Sequence, residues 1–424
     1  MEIFMLLATL INEFHDKIKY FCENSGVKRR VRFPNIPDKI AVIIGMRRTG
    51  KTHYLFERMQ DLLGSQKINL TQMLYINFED DRLSGLSQKG LSSLLEDYFS
   101  LYPENYDREC YFFLDEIQNV TDWQQVIRRF FDTKRVKIVI TGSSAKLLSK
   151  EIATSLRGRS ISIEMWPFSF SEFLEAKNIV QKSHDLKIMG KKTLDQLQGH
   201  LKRYLNQGGF PEIMHIDEID RSRVLQDYVS VVTFRDIVER YHISNLSLVK
   251  YMIKYFVSHP GTNFSVNKFA NDLKSQGILA AKSTVYDYLT YLEDVYLAFF
   301  VPLHADSLKK VNANPKKMYS IDFGLSKVYS LNQSENLGRY FENLVYLDLR
   351  RQGCEVYYYL TKDRKEVDFL SKDLLGNWRL YQVCWNISDE KTLERESSAL
   401  EQAKQELKLD GEIITPYQYF KTFL

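Results

Sequence analysis

Gly45-Met46-Arg47-Arg48-Thr49-Gly50-Lys51-Thr52 has the spacing GxxxxGK[ST]. Glycines near both ends of such a run let backbone N–H groups close around phosphate oxygens. Lys51 is long enough to reach the β- and γ-phosphates of a nucleotide, and Thr52 offers its hydroxyl to magnesium. Ala41-Val42-Ile43-Ile44 precedes the run as a buried strand, and a helical pattern follows it. The loop therefore stands at the positive N-terminal end of a helix, where anions are favoured. A glycine turn with an incidental lysine would leave that context unexplained.

Tyr111-Phe112-Phe113-Leu114-Asp115-Glu116 is an apolar strand ending in two carboxylates, the Walker B form. Asp115 is expected to hold magnesium, directly or through water. Glu116 is expected to polarise the attacking water, and its place after Asp115 favours hydrolysis over nucleotide binding alone. Thr141-Gly142-Ser143-Ser144 closes the next strand. Its hydroxyls suit sensing a γ-phosphate or holding water, with Ser144 the candidate. Ser143 or Ser144 equally suits capping the helix that follows. Leu156-Arg157-Gly158-Arg159 then precedes the last strand. Arg159 or Arg157 in that position can reach a neighbouring subunit's γ-phosphate; a solvated arginine pair is the plainer alternative. Glu79, Asp80 and Asp81 close the second strand, either in an auxiliary polar role or as a solvated acidic loop.

The elements that must position these groups follow from the pattern between Lys39 and Met165. Runs KIAVII, MLYINF, YFFLD, VKIVIT and SISIEM alternate with helical stretches beginning near Lys51, Leu91, Trp123 and Ala145. Buried β-branched strands alternating with helices predict a parallel α/β sheet of the P-loop NTPase type. Beyond Pro167 the text is mostly helical until about Lys317, where strands return. The expected division is a helix and lead-in over 1–38, the ATPase core over 39–166, a helical connector over 167–245, a winged-helix-like module over 246–314 and a small α/β nuclease-like domain over 315–424.

Composition fits a soluble globular protein: 44% hydrophobic and 26% charged, with net charge only +4. Any nucleic-acid contact must therefore come from local basic patches. Cys22, Cys110, Cys354 and Cys384 are scattered, which argues against a disulfide framework or structural zinc and fits a reducing cytoplasm. Ile3, Leu6, Leu7, Leu10, Ile11 and Phe14 have helical spacing, so the N-terminus reads as a helix docked on the body, with a membrane-surface helix as the alternative. No apolar run reaches membrane-spanning length.

GMRRTGKT, LYINFEDDRL, FFLDEIQNV, VITGSSAKLLS, LRGR and WPFSFSEF together resemble the ATPase domain of bacterial and archaeal AAA+ superfamily proteins that carry a C-terminal domain of unknown function. NQGGFPEI and FRDIVERYHISN resemble the start of that C-terminal part. The resemblance implies a P-loop core with an additional strand, ATP and Mg2+ as ligands, and assembly into homo-oligomers. Within FRDIVERY, Arg235/Glu239 and Asp236/Arg240 are spaced to pair on a helix.

Ser265–Val301 reads as helix, turn, helix and resembles a winged helix-turn-helix. Its second helix carries Tyr286, Asp287, Tyr288, Glu293 and Asp294 with only Lys282 as a nearby cation, which favours protein packing over a DNA groove. The tail from Lys317 resembles the PD-(D/E)xK nuclease core, with Glu342 on its helix and Asp368 on a strand. Gln382 and Cys384 stand where that core wants a carboxylate and a lysine, so nuclease activity is not expected. Lys362, Arg364 and Lys365 are placed to touch phosphates, and Lys362 or Lys365 could stand in for the missing lysine. The leading expectation is an ATP-driven conformational machine or switch acting on a protein partner; the alternative is a nucleic-acid-processing ATPase that holds DNA.

Overall fold

Five short runs rich in Ile, Val and Phe cannot be satisfied singly, and in the computed structural model they pair into one parallel sheet. The structure describes residues 2–24, 26–34, 36–65, 68–143, 156, 158–179, 190–330, 336–386 and 390–424. The sheet strands are β1 (Ile40–Ile44), β2 (Met73–Asn77), β3 (Cys110–Asp115), β4 (Val136–Gly142) and β5 (Ser160–Glu164). Their order is β2-β3-β4-β1-β5, which puts β4 between the strand before the phosphate loop and the strand ending in Asp115. This is the P-loop NTPase arrangement expected from the alternating pattern.

Register brings the chemistry to one edge. Ile43 is level with Thr141, and Asn77 with Asp115. The carboxyl ends of β1 to β4 thus share a rim, where open α/β sheets bind ligands. Both faces are covered. Helix α1 (Glu2–Glu23) buries Leu7, Leu10, Ile11, Phe14 and Ile18, and Phe14 packs with Phe56 of α2 (Lys51–Ser65) and Tyr75 of β2. On the other face α3 (Gln88–Leu101) and α4 (Trp123–Thr133) set Tyr98 and Phe130 against Phe112. Helix α1 therefore belongs to the same compact unit, Met1–Met165, as the sheet.

Trp166–Leu424 forms the second unit. The glycines of NQGGFPEI have a clear task there. Gly208, at φ 90°, ends the helix Lys191–Gln207, and a Cβ on it would collide with the Asp322 carboxylate. Asp322 in turn accepts from the Gly209 N–H at 2.6 Å and the Gly324 N–H at 2.8 Å. Most of the FRDIVERY segment lies in a π-helix, Val232–Glu239, and Asp236 pairs with Arg240, just past its end, at 3.5 Å.

A three-stranded antiparallel sheet has the order β6 (Thr262–Phe264), β8 (Lys316–Ser320), β7 (Ala298–Val301). Strand β8 stood with the tail by sequence, yet it pairs with β6 and β7. A second sheet runs β12 (Gly411–Ile414), β11 (Trp378–Val383), β10 (Glu366–Lys372), β9 (Glu355–Leu360). Strands β11 and β12 are parallel and the helix Glu390–Leu407 crosses between them, as a parallel pair requires. The helix Leu337–Arg351 precedes β9. Among the described residues no helix is long and apolar enough to cross a membrane, and all four cysteines are free thiols.

Candidate functional site

Gly45 cannot be any other residue without moving β5, because a Cβ there would collide with the Met165 carbonyl oxygen. Strand β5 is held at that point by the Met165 N–H, which donates to the Ile44 carbonyl at 2.7 Å. Arg48 and Gly50 take positive φ of 67° and 92°, turning the loop into α2. Thr49 is buried and its hydroxyl donates to the Met46 carbonyl at 2.9 Å. Arg29, from the segment before β1, braces the loop by donating to the Thr49 carbonyl at 2.6 Å. Arg47 pairs with Glu79, which settles that carboxylate in a local ion pair rather than in solvent alone. Lys51 is buried against the loop it serves, donating to the carbonyls of Gly45 at 3.1 Å and Met46 at 3.2 Å.

The two carboxylates meet this loop. Thr52 Oγ1 donates to Asp115 Oδ2 at 2.7 Å, and Glu116 Oε1 lies 3.4 Å from Lys51 Nζ. Asp115 is also held by the hydroxyl of Tyr75, at 3.1 Å, and by that of Thr141. The Thr141 oxygen accepts from the Glu116 N–H at 2.9 Å, so one hydroxyl ties the two acidic positions to β4. Glu116 itself sits at φ 53°, a left-handed position uncommon for this residue type.

Their electrostatics differ. Burial, then the Glu116 charge, pushes the Asp115 carboxyl above the ordinary carboxylate range, against the hydroxyls of Thr141 and Thr52. Burial also works to raise Glu116, but Lys51, the Gln118 amide and Arg47 outweigh it and hold Glu116 below the ordinary range. A desolvated carboxylate beside a hydroxyl on the rim of a phosphate loop is relieved by a divalent cation. A magnesium-bound nucleotide fits this donor set.

The structure thus gathers Gly45–Thr52, Asp115 and Glu116. Ser144 and Arg157 lie outside the described residues. Arg159 lies apart: it precedes Ser160, which is level with Ile40 at the amino end of β1, the edge opposite the phosphate loop. There it pairs with Asp132 at 3.2 Å and stays 39% exposed. Sequence reasoning missed Arg29 and Tyr75. Tyr75 carried a usable signal, since it faces the Asp115 strand two residues before the carboxyl end of β2.

The tail holds a second acidic cluster. Lys317 Nζ lies 3.0 Å from Glu342, 2.8 Å from Glu366 and 2.8 Å from Asp368. Tyr319 donates to Glu342 at 2.7 Å. Burial opposes the Lys317 charge, but Asp368, Glu342 and Glu366 hold its pKa well above the ordinary lysine value. Burial pushes Glu342 up to about 7, against the pull of Lys317. The cation comes from β8, not from the hairpin: Lys365 Nζ donates instead to Ser398 Oγ at 2.8 Å. Gln382 accepts from the Asp368 N–H at 3.2 Å and donates to Glu396, and the Cys384 thiol donates to the Asn386 carbonyl at 3.4 Å.

Comparison with known proteins agrees with the geometry of the first unit. Residues 37–174 match the family described as an AAA domain, and residues 198–336 match a domain of unknown function (DUF8612). An uncharacterized protein of Methanocaldococcus jannaschii is 39% identical over 395 residues, covering 91% of this chain and 83% of the relative. An uncharacterized protein of Haemophilus influenzae is 30% identical over 341 residues, covering 79% and 80%. Among solved structures, a Walker-type ATPase of Pyrococcus abyssi aligns with a TM-score of 0.43 at 14% identity, over 68% of this chain and 90% of that one.

Proposed function

We propose that this chain, which belongs to the family of archaeal and bacterial proteins joining an AAA domain to a domain of unknown function, hydrolyses ATP with magnesium at the loop following β1. The observation that carries the reading is the 2.7 Å contact of Thr52 with Asp115, with Glu116 beside Lys51. Thr52 and Asp115 would hold the magnesium, which when bound neutralises charge on the phosphates. The loop N–H groups and Lys51 bind and orient the β- and γ-phosphates. To do so Lys51 leaves the carbonyls of Gly45 and Met46, exchanging neutral acceptors for charged ones. That movement also frees Glu116 from its lysine, so the carboxylate that takes the water's proton is released as the phosphates are gripped. Glu116→Gln keeps the shape and loses the base: ATP should still bind while turnover falls roughly 10²-fold. Turnover at the wild-type rate would assign the water to another residue.

We read the nucleotide cycle as driving a conformational change in a cytoplasmic protein that acts on a protein partner. The four free thiols support a reducing compartment. The order β6-β8-β7, with the helices Val266–Ser275 and Lys282–Asp294 between β6 and β7, supports the winged-helix reading. Its second helix gives little support to DNA holding. Asp294 there accepts from Tyr241 at 2.9 Å and Glu293 from the Phe300 N–H at 3.3 Å, while Tyr286 and Asp287 face solvent. The helix-β9-β10-β11-helix-β12 order supports a nuclease-like core, read as non-catalytic. Lys317 occupies the centre of its carboxylates, so the cluster carries its own cation.

A further inference from the structure

Three cations of the second unit, none of them in an ion pair among the described residues, converge on one cavity. The cavity, a solvent-open cleft of about 370 Å³, lies among the helices Lys191–Gln207, Glu218–Val231 and Phe323–Tyr329 and the residue that follows the helix Phe170–Ala176, and that volume is in the range of small-molecule sites. Lys177, Arg203 and Arg221 line it. Lys177 donates to the Met214 carbonyl and Arg221 to the Ile216 carbonyl at 3.2 Å, both neutral acceptors; Glu218 and Asp217 attract Arg221 only at a distance, without pairing with it. Arg221 Nε is buried with no hydrogen-bond partner among the described residues. Among the described residues Glu218 is the one acid on the wall, and Lys327 pairs with it at 3.1 Å.

Folding has therefore brought like charges together at a cost. Burial, then Arg221 and Arg203, presses the Lys177 amine below its ordinary pKa, and burial lowers Arg221 as well. Repulsion of this kind is relieved by an anion whose oxygens accept from several donors at once. A guanidinium fork matches phosphate geometry better than an ammonium does, and two of the three cations are arginines.

We propose that this cavity is a binding site for a phosphate group, held by Arg203, Arg221 and Lys177. The group comes either from a small phosphorylated molecule or from a nucleic-acid backbone. The site lies in the second unit, and none of its residues belongs to the loop at Gly45–Thr52.

The test uses the full chain carrying Lys51→Ala, so that the phosphate loop contributes little. Inorganic phosphate is titrated by calorimetry, and a labelled short single-stranded oligodeoxynucleotide by anisotropy. Both are repeated with Arg203→Ala and with Arg221→Gln added. Arg203 is exposed on its helix, so its replacement is expected to leave the fold intact, and the thermal midpoint without ligand checks this. Losing one charged donor should weaken binding roughly ten-fold. Weakened phosphate binding identifies the small-molecule source. Weakened oligonucleotide binding with no measurable phosphate binding identifies the backbone. No binding of either probe, or affinities unchanged by both substitutions, overturns the proposal.

Discussion

At the scale of single residues, the site depends on a few buried groups whose charge is set by their neighbours. Glu342 makes this measurable. Its folded pKa, about 7, is raised above the ordinary 4.5 of an unfolded glutamate. The folded state therefore binds a proton that the unfolded state has released between those values. The stability this contributes is fully present below about pH 4.5 and is lost as pH rises through 7. Glu342→Gln mimics the protonated form, so urea unfolding should show wild type losing on the order of 3 kcal/mol relative to the variant across that window. Parallel profiles would mean that Glu342 titrates normally. The loop, Asp115 and Glu116 were legible because their spacing is local to one loop and one strand end. Arg29 was not, because no motif marks the segment from which it reaches the Thr49 carbonyl, whereas the signal of Tyr75, its place two residues before the end of β2, was passed over.

At the scale of elements, the parallel sheet was legible and the assignment of β8 was not. The five strands announced themselves as buried β-branched runs, each followed by helical text. A short strand such as Lys316–Ser320 has no such context, and its apolar residues fit either sheet. Pairing with β6 and β7 is what carries Lys317 into the carboxylates of the C-terminal α/β domain, 51 residues from Asp368. Sequence reading looked for the missing lysine in the hairpin instead. Lys317→Met should leave three carboxyl groups without their shared counter-ion and destabilise the protein by roughly 3–5 kcal/mol. Manganese should recover part of that loss in the variant and raise its thermal midpoint more than that of wild type. Equal shifts would mean that the ammonium does not stand in for a metal. Wild type should not cut plasmid with magnesium or manganese, and cleavage abolished by Asp368→Ala would make the tail a nuclease.

At the scale of the whole molecule, the proposed role of Arg159 is the one that needs a second subunit. It sits at the opposite edge of the sheet from the phosphate loop of its own chain, partly exposed and paired only with Asp132 among the described contacts. If it serves a neighbour, Arg159→Ala should lower turnover by up to roughly 10³-fold while single subunits keep their affinity for ATP. Specific activity should then rise with protein concentration, and mixing Arg159→Ala with Lys51→Ala protein should restore part of it. Activity independent of concentration, with no restoration, would leave Arg159 a surface ion pair. The central claim is hydrolysis at the loop after β1, and steady-state phosphate release from magnesium-ATP by wild type and Lys51→Ala tests it most directly. Removing the ammonium should cost roughly 3–4 kcal/mol of transition-state stabilisation, a fall in rate of 10²-fold or more with the thermal midpoint little changed. Equal rates for the two proteins would contradict it.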